Sequence, residues 1–313
     1  MQRLYALLLA GLLLAGSGIS GLWASGSQEG MTLRVGTLPN MPAVPLIVAG
    51  DQGFFQNEGI AVEIRVYNHR AELLDALEQG QLDGAVLDAV SSVTAVLQDK
   101  PLRIVAAVPS YYGLYTAPGS SLDLEGLAAG TELQTGVHRH GSSAYMAAQF
   151  FSRSGIAGSR FALIDVPDAG ERLEMLANGE LELAVLPQPL GTLAVSRGSG
   201  ELISSSLVVS LPDFLVFSEA ALLGGEQVGR LLRAYNRAVA AGLPSWIELL
   251  SAELGCCTEE LTLLQGHQFG QAEVPTREMI SQIGFWMLEQ DLLERILLYE
   301  NLVGVLPQRF LRE

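Results

Sequence analysis

The feature that most constrains this chain is an internal repeat. Residues 72–87 read ELLDALEQGQLDGAVL, and residues 171–186 read ERLEMLANGELELAVL. At an offset of 99 they align without a gap, and eight of 16 positions are identical. Each copy is a helix-period stretch, a Gly stop and a short apolar run. Gly takes the left-handed backbone that closes a helix, and a short apolar run suits a strand buried on both faces. Any helix-Gly-strand pair of a parallel sheet looks broadly like this. Two copies in register, each inside its own series of strands and helices, predict two α/β lobes of similar design.

The surrounding pattern extends that reading. In the first series, strands are expected at 33–38, 62–67, 84–87 and 102–108. Helices are expected at 43–57, at 71–79 and from Ser91-Ser92, whose hydroxyls suit a helix start. The second series repeats this with strands at 133–137, 161–166 and 183–186, and helices at 142–152, 171–177 and from Pro189. Residues 207–209 and 215–217 flank Pro212 and lead the chain back to the first lobe. After Ser218 helices are expected at 228–243, 246–254, 259–265 and 279–298, docked on the first lobe and on each other. The expected division is residues 32–116 with 212–313 in lobe one and 117–211 in lobe two. Each lobe is a mostly parallel sheet flanked by helices, with a helical C-terminal tail.

A length of 313 residues allows two domains, and 49% apolar residues exclude a disordered chain. With 18 Lys+Arg against 34 Asp+Glu the formal net charge is −16. That excludes the basic footprint of a nucleic-acid binder. Cys256-Cys257 are the only cysteines and are adjacent, so they build no disulfide framework; a structural or free thiol pair is expected. Lys100 is the only lysine, which argues against Schiff-base chemistry.

The N-terminus reads as an address. Met1-Gln2-Arg3 is followed by an unbroken apolar run at 4–15, then by Leu22-Trp23-Ala24 and Ser25-Gly26-Ser27. This is the order of a secretory signal peptide at 1–24, cleaved near Ala24. The run is 12 residues, shorter than the ~20 of a membrane span, although an uncleaved anchor is the rival reading. No lipid-acceptor Cys lies nearby. Cleavage removes Arg3 and no acid, leaving 17 − 34 = −17 on an exported, periplasmic chain. Gly16-Ser17-Gly18-Ile19-Ser20-Gly21 matches a dinucleotide fingerprint but lacks the strand before and the helix after it, so no cofactor is expected.

Ligands of open parallel sheets bind beyond the carboxyl ends of the strands. That selects Leu38, Pro39 and Asn40; Tyr67 and Asn68; Asp88 and Ser91; Ser110 and Tyr111; Arg139, His140, Gly141, Ser142 and Ser143; Asp168; and Gln188 as ligand-binding candidates. The segment 139–143 stands out. Ser142 and Ser143 open a helix whose N–H groups and dipole favour an anion, and Arg139 can add a bidentate contact. The alternative there is a capped helix start with a surface Arg. Tyr67, Tyr111, Tyr112 and Tyr115 can stack on a flat ligand or pack at strand ends. His138 and His140 share a strand face with no partner at ligand spacing, so no metal is expected. His69 and His267 are isolated. No nucleophile elbow or phosphate loop is present, so no catalytic residue is assigned.

Gly53-Phe54-Phe55-Gln56-Asn57-Glu58-Gly59-Ile60-Ala61-Val62-Glu63 resembles the G-F/Y-F-x-x-E-G-I/L-x-V-E start of type 2 periplasmic substrate-binding proteins of ABC importers. The nearest group is the nitrate, aliphatic-sulfonate and thiamine-precursor binding family. Residues 80–85, 122–127 and 138–143 resemble its later motifs, and the resemblance covers about residues 32–245. It implies a monomeric binding protein, not an enzyme, that closes two lobes on a small organic ligand or anion by hinges near 116–120 and 210–212. It also implies a membrane permease as partner and, through it, an ATPase. Two departures stand out: Leu127 replaces the usual Lys, and the loop Pro187-Gln188-Pro189 is uncharged. Thiamine-precursor synthases on this fold use a Cys-rich motif and an active-site Lys, and neither is present. An enzyme acting on a menaquinone or thiamine precursor is the alternative. The ligand part of a sensory receptor is a third reading, for which a signalling domain would be expected.

Overall fold

The computed structural model describes residues 32–98, 101–129, 132–158, 161–204, 211–223, 226–296 and 298–304. The signal-peptide segment, Lys100, the strand expected at 207–209 and the hinge residue Ser210 lie outside the described residues. Among the described residues ten strands form two sheets of five. They are β1 Leu33–Thr37, β2 Val62–Val66, β3 Gly84–Asp88, β4 Leu102–Ser110, β5 Tyr112–Thr116, β6 Leu133–Val137, β7 Phe161–Asp165, β8 Leu183–Pro187, β9 Glu201–Ser204 and β10 Leu211–Ser218. The first sheet runs β2-β1-β3-β10-β4 and the second β7-β6-β8-β5-β9. In each, three parallel strands are followed by a strand that runs antiparallel to its neighbours.

The helices are α1 Val44–Asp51, α2 Phe54–Asn57, α3 Arg70–Glu78, α4 Ala89–Leu97, α5 Leu124–Ala129, α6 Ser142–Arg153, α7 Ala169–Ala177 and α8 Leu190–Ser196. After β10 come α9 Glu219–Leu223, α10 Gln227–Ala240, α11 Trp246–Leu254, α12 Arg277–Glu289 and α13 Tyr299–Leu302. The two repeat copies are α3–β3 and α7–β8, and they occupy equivalent places. Gly36 of β1 faces Ala85 of β3, as Gly136 of β6 faces Ala184 of β8. A Cβ on Gly36 would lie 2.5 Å from Leu82 Cδ1, and one on Gly136 the same distance from Leu181 Cδ1. The repeated Leu therefore needs a bare backbone beneath it in both halves. Asp83 Oδ2 accepts the Arg34 N–H, and its counterpart Glu182 Oε2 accepts the Gln134 N–H, each at 2.8 Å.

Several expectations change. The stretch expected as one helix at 43–57 is a 3-10 turn Met41–Ala43, then α1, then α2, because Gly53 breaks it with φ 72. The segment at 259–265 is a 3-10 helix, Thr258–Leu264, and the last long helix stops at Glu289. Strands β5 and β9 were not expected. The chain crosses from the first sheet to the second between Ser110 and Tyr112, ahead of the boundary expected after Thr116. β10 returns to the first sheet and pairs with both β3 and β4. Among the tail helices, α12 buries Ile280, Ile283 and Met287 and packs on α4. Trp286 also meets Tyr145 of α6 edge-on at 5.4 Å, so α12 touches helices flanking both sheets.

The Gly53–Glu63 motif explains itself in packing. Phe55 is fully buried. Glu58 is almost buried and holds Arg233 of α10 by a 3.0 Å hydrogen bond. Arg237 Nη1 lies 2.7 Å from Glu58 Oε1, an ion pair without hydrogen-bond alignment. This acid fastens α2 to α10, which also packs on α1. Glu58→Ala removes the buried carboxylate that ties α2 to Arg233 and Arg237 of α10 and is expected to remove about 2 kcal/mol of stability in urea denaturation. Glu63→Ala, which breaks the exposed pair with Arg65, should leave the midpoint unchanged.

Candidate functional site

The carboxyl ends of both sets of parallel strands open onto one cavity of about 360 Å³. Its wall comes from both halves of the fold. Leu38, Pro39, Asn40, Asn68 and Asp88 reach it from loops of the first sheet. Ser142, Ser143, Asp168 and Gln188 reach it from loops of the second. These nine are all among the residues selected from sequence. Leu73, Val86, Leu173, Leu190 and Leu193 give it an apolar lining.

Asp88 is the central polar group. It caps α4 through its own side chain, accepting the Ser91 N–H at 3.2 Å. The same Oδ1 accepts both the N–H and the hydroxyl of Ser142, each at 2.9 Å, at the first turn of α6. Arg70 donates to Oδ2 and to the Ser91 hydroxyl, which in turn donates to Oδ2. Burial favours the neutral acid, but the Arg70 charge and the hydrogen bonds from Ser91 and Arg70 outweigh it and hold the carboxyl well below the usual carboxylate range. The anion position at the start of α6 is therefore filled by this chain's own carboxylate.

The other selected residues stand elsewhere. Arg139 does not line the cavity. Its backbone N–H donates to Asp165 Oδ1 at 2.8 Å, and Nη2 donates to the Leu163 carbonyl, so the strand beyond β6 turns it outward. His140 and Ser91 border a smaller neighbouring cavity of about 200 Å³. Gly141 is the close-approach residue before α6, where a Cβ would lie 2.1 Å from His138 Nδ1. Tyr67 packs against the apolar core, and Tyr111 meets His267 edge-on at 4.6 Å. Ser110 is buried on β4 beside the strand that carries Asp213. Gln188 lines the cavity, but its oxygen accepts from Thr192 and its nitrogen donates to the Tyr115 hydroxyl. Asp168 caps α7 and lies 3.3 Å from His69.

Seven polar lining groups were not selected from sequence, namely Arg70, Tyr112, His138, Arg172, Glu174, Arg197 and Asp213; Arg197 pairs with Glu174 at 3.4 Å. By sequence Tyr112 is a ring that can stack on a ligand, and His138 is considered only for metal ligation. Burial, with the Arg70 charge, pushes His138 down to about 4, so its ring is neutral at physiological pH. Burial pushes Arg172 down to about 10 and it stays charged. Asp213 is 2% exposed, and its Oδ1 has no hydrogen-bond partner. Burial and then the Asp88 charge push it up to about 7, against the pull of Ser110 and Arg70. Among the described residues no cluster of three or more His, Cys, Asp or Glu is placed to hold a metal ion.

Two outcomes follow from these acids. Native Asp213 keeps its proton to about pH 7, whereas an unfolded Asp loses it near 3.8. Between those values the native state binds more protons, so this group's contribution to stability falls as pH rises. Asp213→Asn should therefore melt higher than the unaltered protein at pH 8, with the gap closing by about pH 4. Asp88→Asn leaves Arg70 unpaired and should cost about 3 kcal/mol at neutral pH in urea denaturation.

The sequence pattern of the NMT1-like family matches residues 26–238. Over 74 residues the chain is 31% identical to the nitrate import ATP-binding protein NrtC of Synechococcus elongatus; that stretch is 24% of this chain and 11% of that protein. The fold is similar to a ligand-binding component of an ABC-type import system from Staphylococcus aureus, with TM-score 0.76, 15% identity, and 88% and 96% of the two chains covered. The alkanesulfonate-binding protein SsuA of Xanthomonas axonopodis pv. citri, bound to MOPS, gives TM-score 0.72, 16% identity and coverage of 87% and 97%. The desulfurization enzyme DSZB gives TM-score 0.66, 15% identity and coverage of 90% and 99%. The α/β architecture of two five-stranded sheets is thus the periplasmic-binding-protein fold, and with well over half its length matched this chain belongs to the NMT1-like family.

Proposed function

We propose that the protein is the extracytoplasmic solute-binding component of an ABC-type importer. The observation that carries this is the cavity, walled by strand-end loops from both sheets. In this reading the sheets act as two lobes, the first with β1–β4 and β10, the second with β5–β9. The Ser110–Tyr112 crossing is one hinge strand. A ligand stabilises closure only through contacts it gains with both lobes, and this cavity offers Asn40 and Asp213 on one side and Arg172 and Ser143 on the other.

The rest of the reading follows the same class. Residues 1–24 direct export and are removed near Ala24, leaving a monomer in the periplasm. Among the described residues no helix is long and apolar enough to cross a membrane. A permease receives the ligand, and an ATPase powers transfer; family membership and the likeness to ABC import components support both partners.

The test is a thermal-shift screen over sulfonates, nitrate, pyrimidines, flavins and aromatic carboxylates. A cognate ligand at 100 times its Kd stabilises by about 2.7 kcal/mol and raises the melting temperature visibly. A hit recovered unchanged supports the binding protein. Conversion of the hit to a product, read by mass spectrometry, would assign the enzyme reading for which the DSZB-like fold is the precedent. A screen without any hit would sink both.

A further inference from the structure

At one position that lines the cavity the two copies of the repeat differ in chemical character. Leu73 and Arg172 are equivalent positions, one on α3 and one on α7. Each lies over the glycine of the adjacent strand, Gly36 or Gly136. Leu73 is fully buried among apolar residues. Arg172 is 3% exposed and yet charged. Its Nε donates to the Val185 carbonyl at 3.2 Å, and Nη1 to those of Val166 at 2.6 Å and Pro167 at 3.3 Å. Those carbonyls orient the guanidinium but supply no counter-charge. No described carboxylate forms an ion pair with it, and Nη2 has no hydrogen bond to a described residue. The Asp168 and Asp88 charges favour it only from beyond ion-pair distance. A buried guanidinium without a carboxylate in contact is costly, and the first copy shows that a Leu suits the site.

Asp213 presents the opposite need. It is buried on β10, lines the same cavity, and its Oδ1 is unsatisfied; Asn40 Nδ2 reaches Oδ2 at 3.5 Å. Native carboxyl groups in such positions meet donors. Arg172 and Asp213 line the same cavity of about 360 Å³, with Tyr112 also on its wall. The third observation is the start of α6, where Asp88 already holds the Ser142 N–H. An oxyanion there would meet a carboxylate.

Building on the solute-binding reading, we propose that this cavity takes a small dipolar molecule, with a carboxylate or carbonyl oxygen on Arg172 Nη2 and an N–H donor on Asp213 Oδ1. Its body lies against the apolar lining, and simple oxyanions such as nitrate or an alkanesulfonate are not its ligands. Arg172 and Asp213 set this specificity from opposite halves of the fold.

The experiment is calorimetry with matched probes on the full chain and on Arg172→Leu and Asp213→Asn. The probes are benzoate, benzamidine and 4-amidinobenzoate; butyrate, butylamine and 4-aminobutyrate; and nitrate and ethanesulfonate. Compounds carrying both groups should bind at least about tenfold tighter than their single-group relatives. Arg172→Leu should abolish the gain from the carboxylate and keep the preference for the N–H group; Asp213→Asn should do the reverse. A merely structural Arg172 would weaken all probes alike, which would overturn its assignment. Arg172→Gln, whose amide nitrogen takes about the place of Nε and can donate to the Val185 carbonyl, serves if the Leu variant does not fold. Tightest binding of nitrate or ethanesulfonate, unaffected by either substitution, overturns the dipolar ligand and leaves the solute-binding reading standing. Binding of none of these probes also overturns the dipolar ligand, whereas the solute-binding reading falls only if the wider thermal-shift screen finds nothing.

Discussion

The arrangement of this molecule hangs on one carboxylate. Asp88 ends β3 of the first sheet and starts α4, and from there it reaches the first turn of α6 on the second. It accepts five hydrogen bonds, from Arg70, from the amide and hydroxyl of Ser91, and from the amide and hydroxyl of Ser142. Two helix N-termini and a guanidinium converge on it. Each favours the charged form, and together they outweigh desolvation. The positive ends of α4 and α6 are thereby held together across the cavity. Any opening of the fold along this line must rehydrate or re-pair that charge.

Asp213 shows the converse. It too is a buried aspartate on the cavity wall, but in the sheet it stands between Asp88 of β3 and Val108 of β4, with no arginine in hydrogen-bond contact. Asp88 itself raises the cost of a second negative charge nearby. The same residue type is thus a fixed structural anion in one place and a group waiting for a donor in another, and environment alone makes the difference. The net charge of the chain says little about this. Charges beyond roughly 8 Å are screened in physiological salt, while groups inside the cavity are not.

Much of the fold was legible because it rests on local rules. The repeat, its Gly stops and the short apolar runs identified β3 and β8 and placed them correctly in two sheets. The rule that ligands sit at strand carboxyl ends selected nine residues that do line the cavity. What escaped depends on long-range pairing. β5 is YGLYT, and with its tyrosines it reads as a loop cluster; it becomes a strand only because β8 and β9 flank it. Arg139 looked like the anion ligand because it precedes a helix start. Its direction is set by Asp165 and the Leu163 carbonyl on β7, which no local pattern reveals. Arg172 was within reach of the alignment, since an Arg facing a Leu in a register-locked repeat is a local inconsistency of the kind that marks functional sites. Asp213 gave a similar signal as an acid inside LPDFLVF.

The repeat also explains how one frame holds a site at its middle. Two similar units bury similar surfaces, so Gly36 and Gly136, or Asp83 and Glu182, solve the same packing problem twice. Symmetry of that kind leaves no reason for a polar group at the shared face. Leu73 completes the core of one half, whereas Arg172 gives up that apolar packing and turns a guanidinium toward the cavity. Since the first copy shows that the core does not need the arginine, the stability it forgoes is best understood through what the cavity holds.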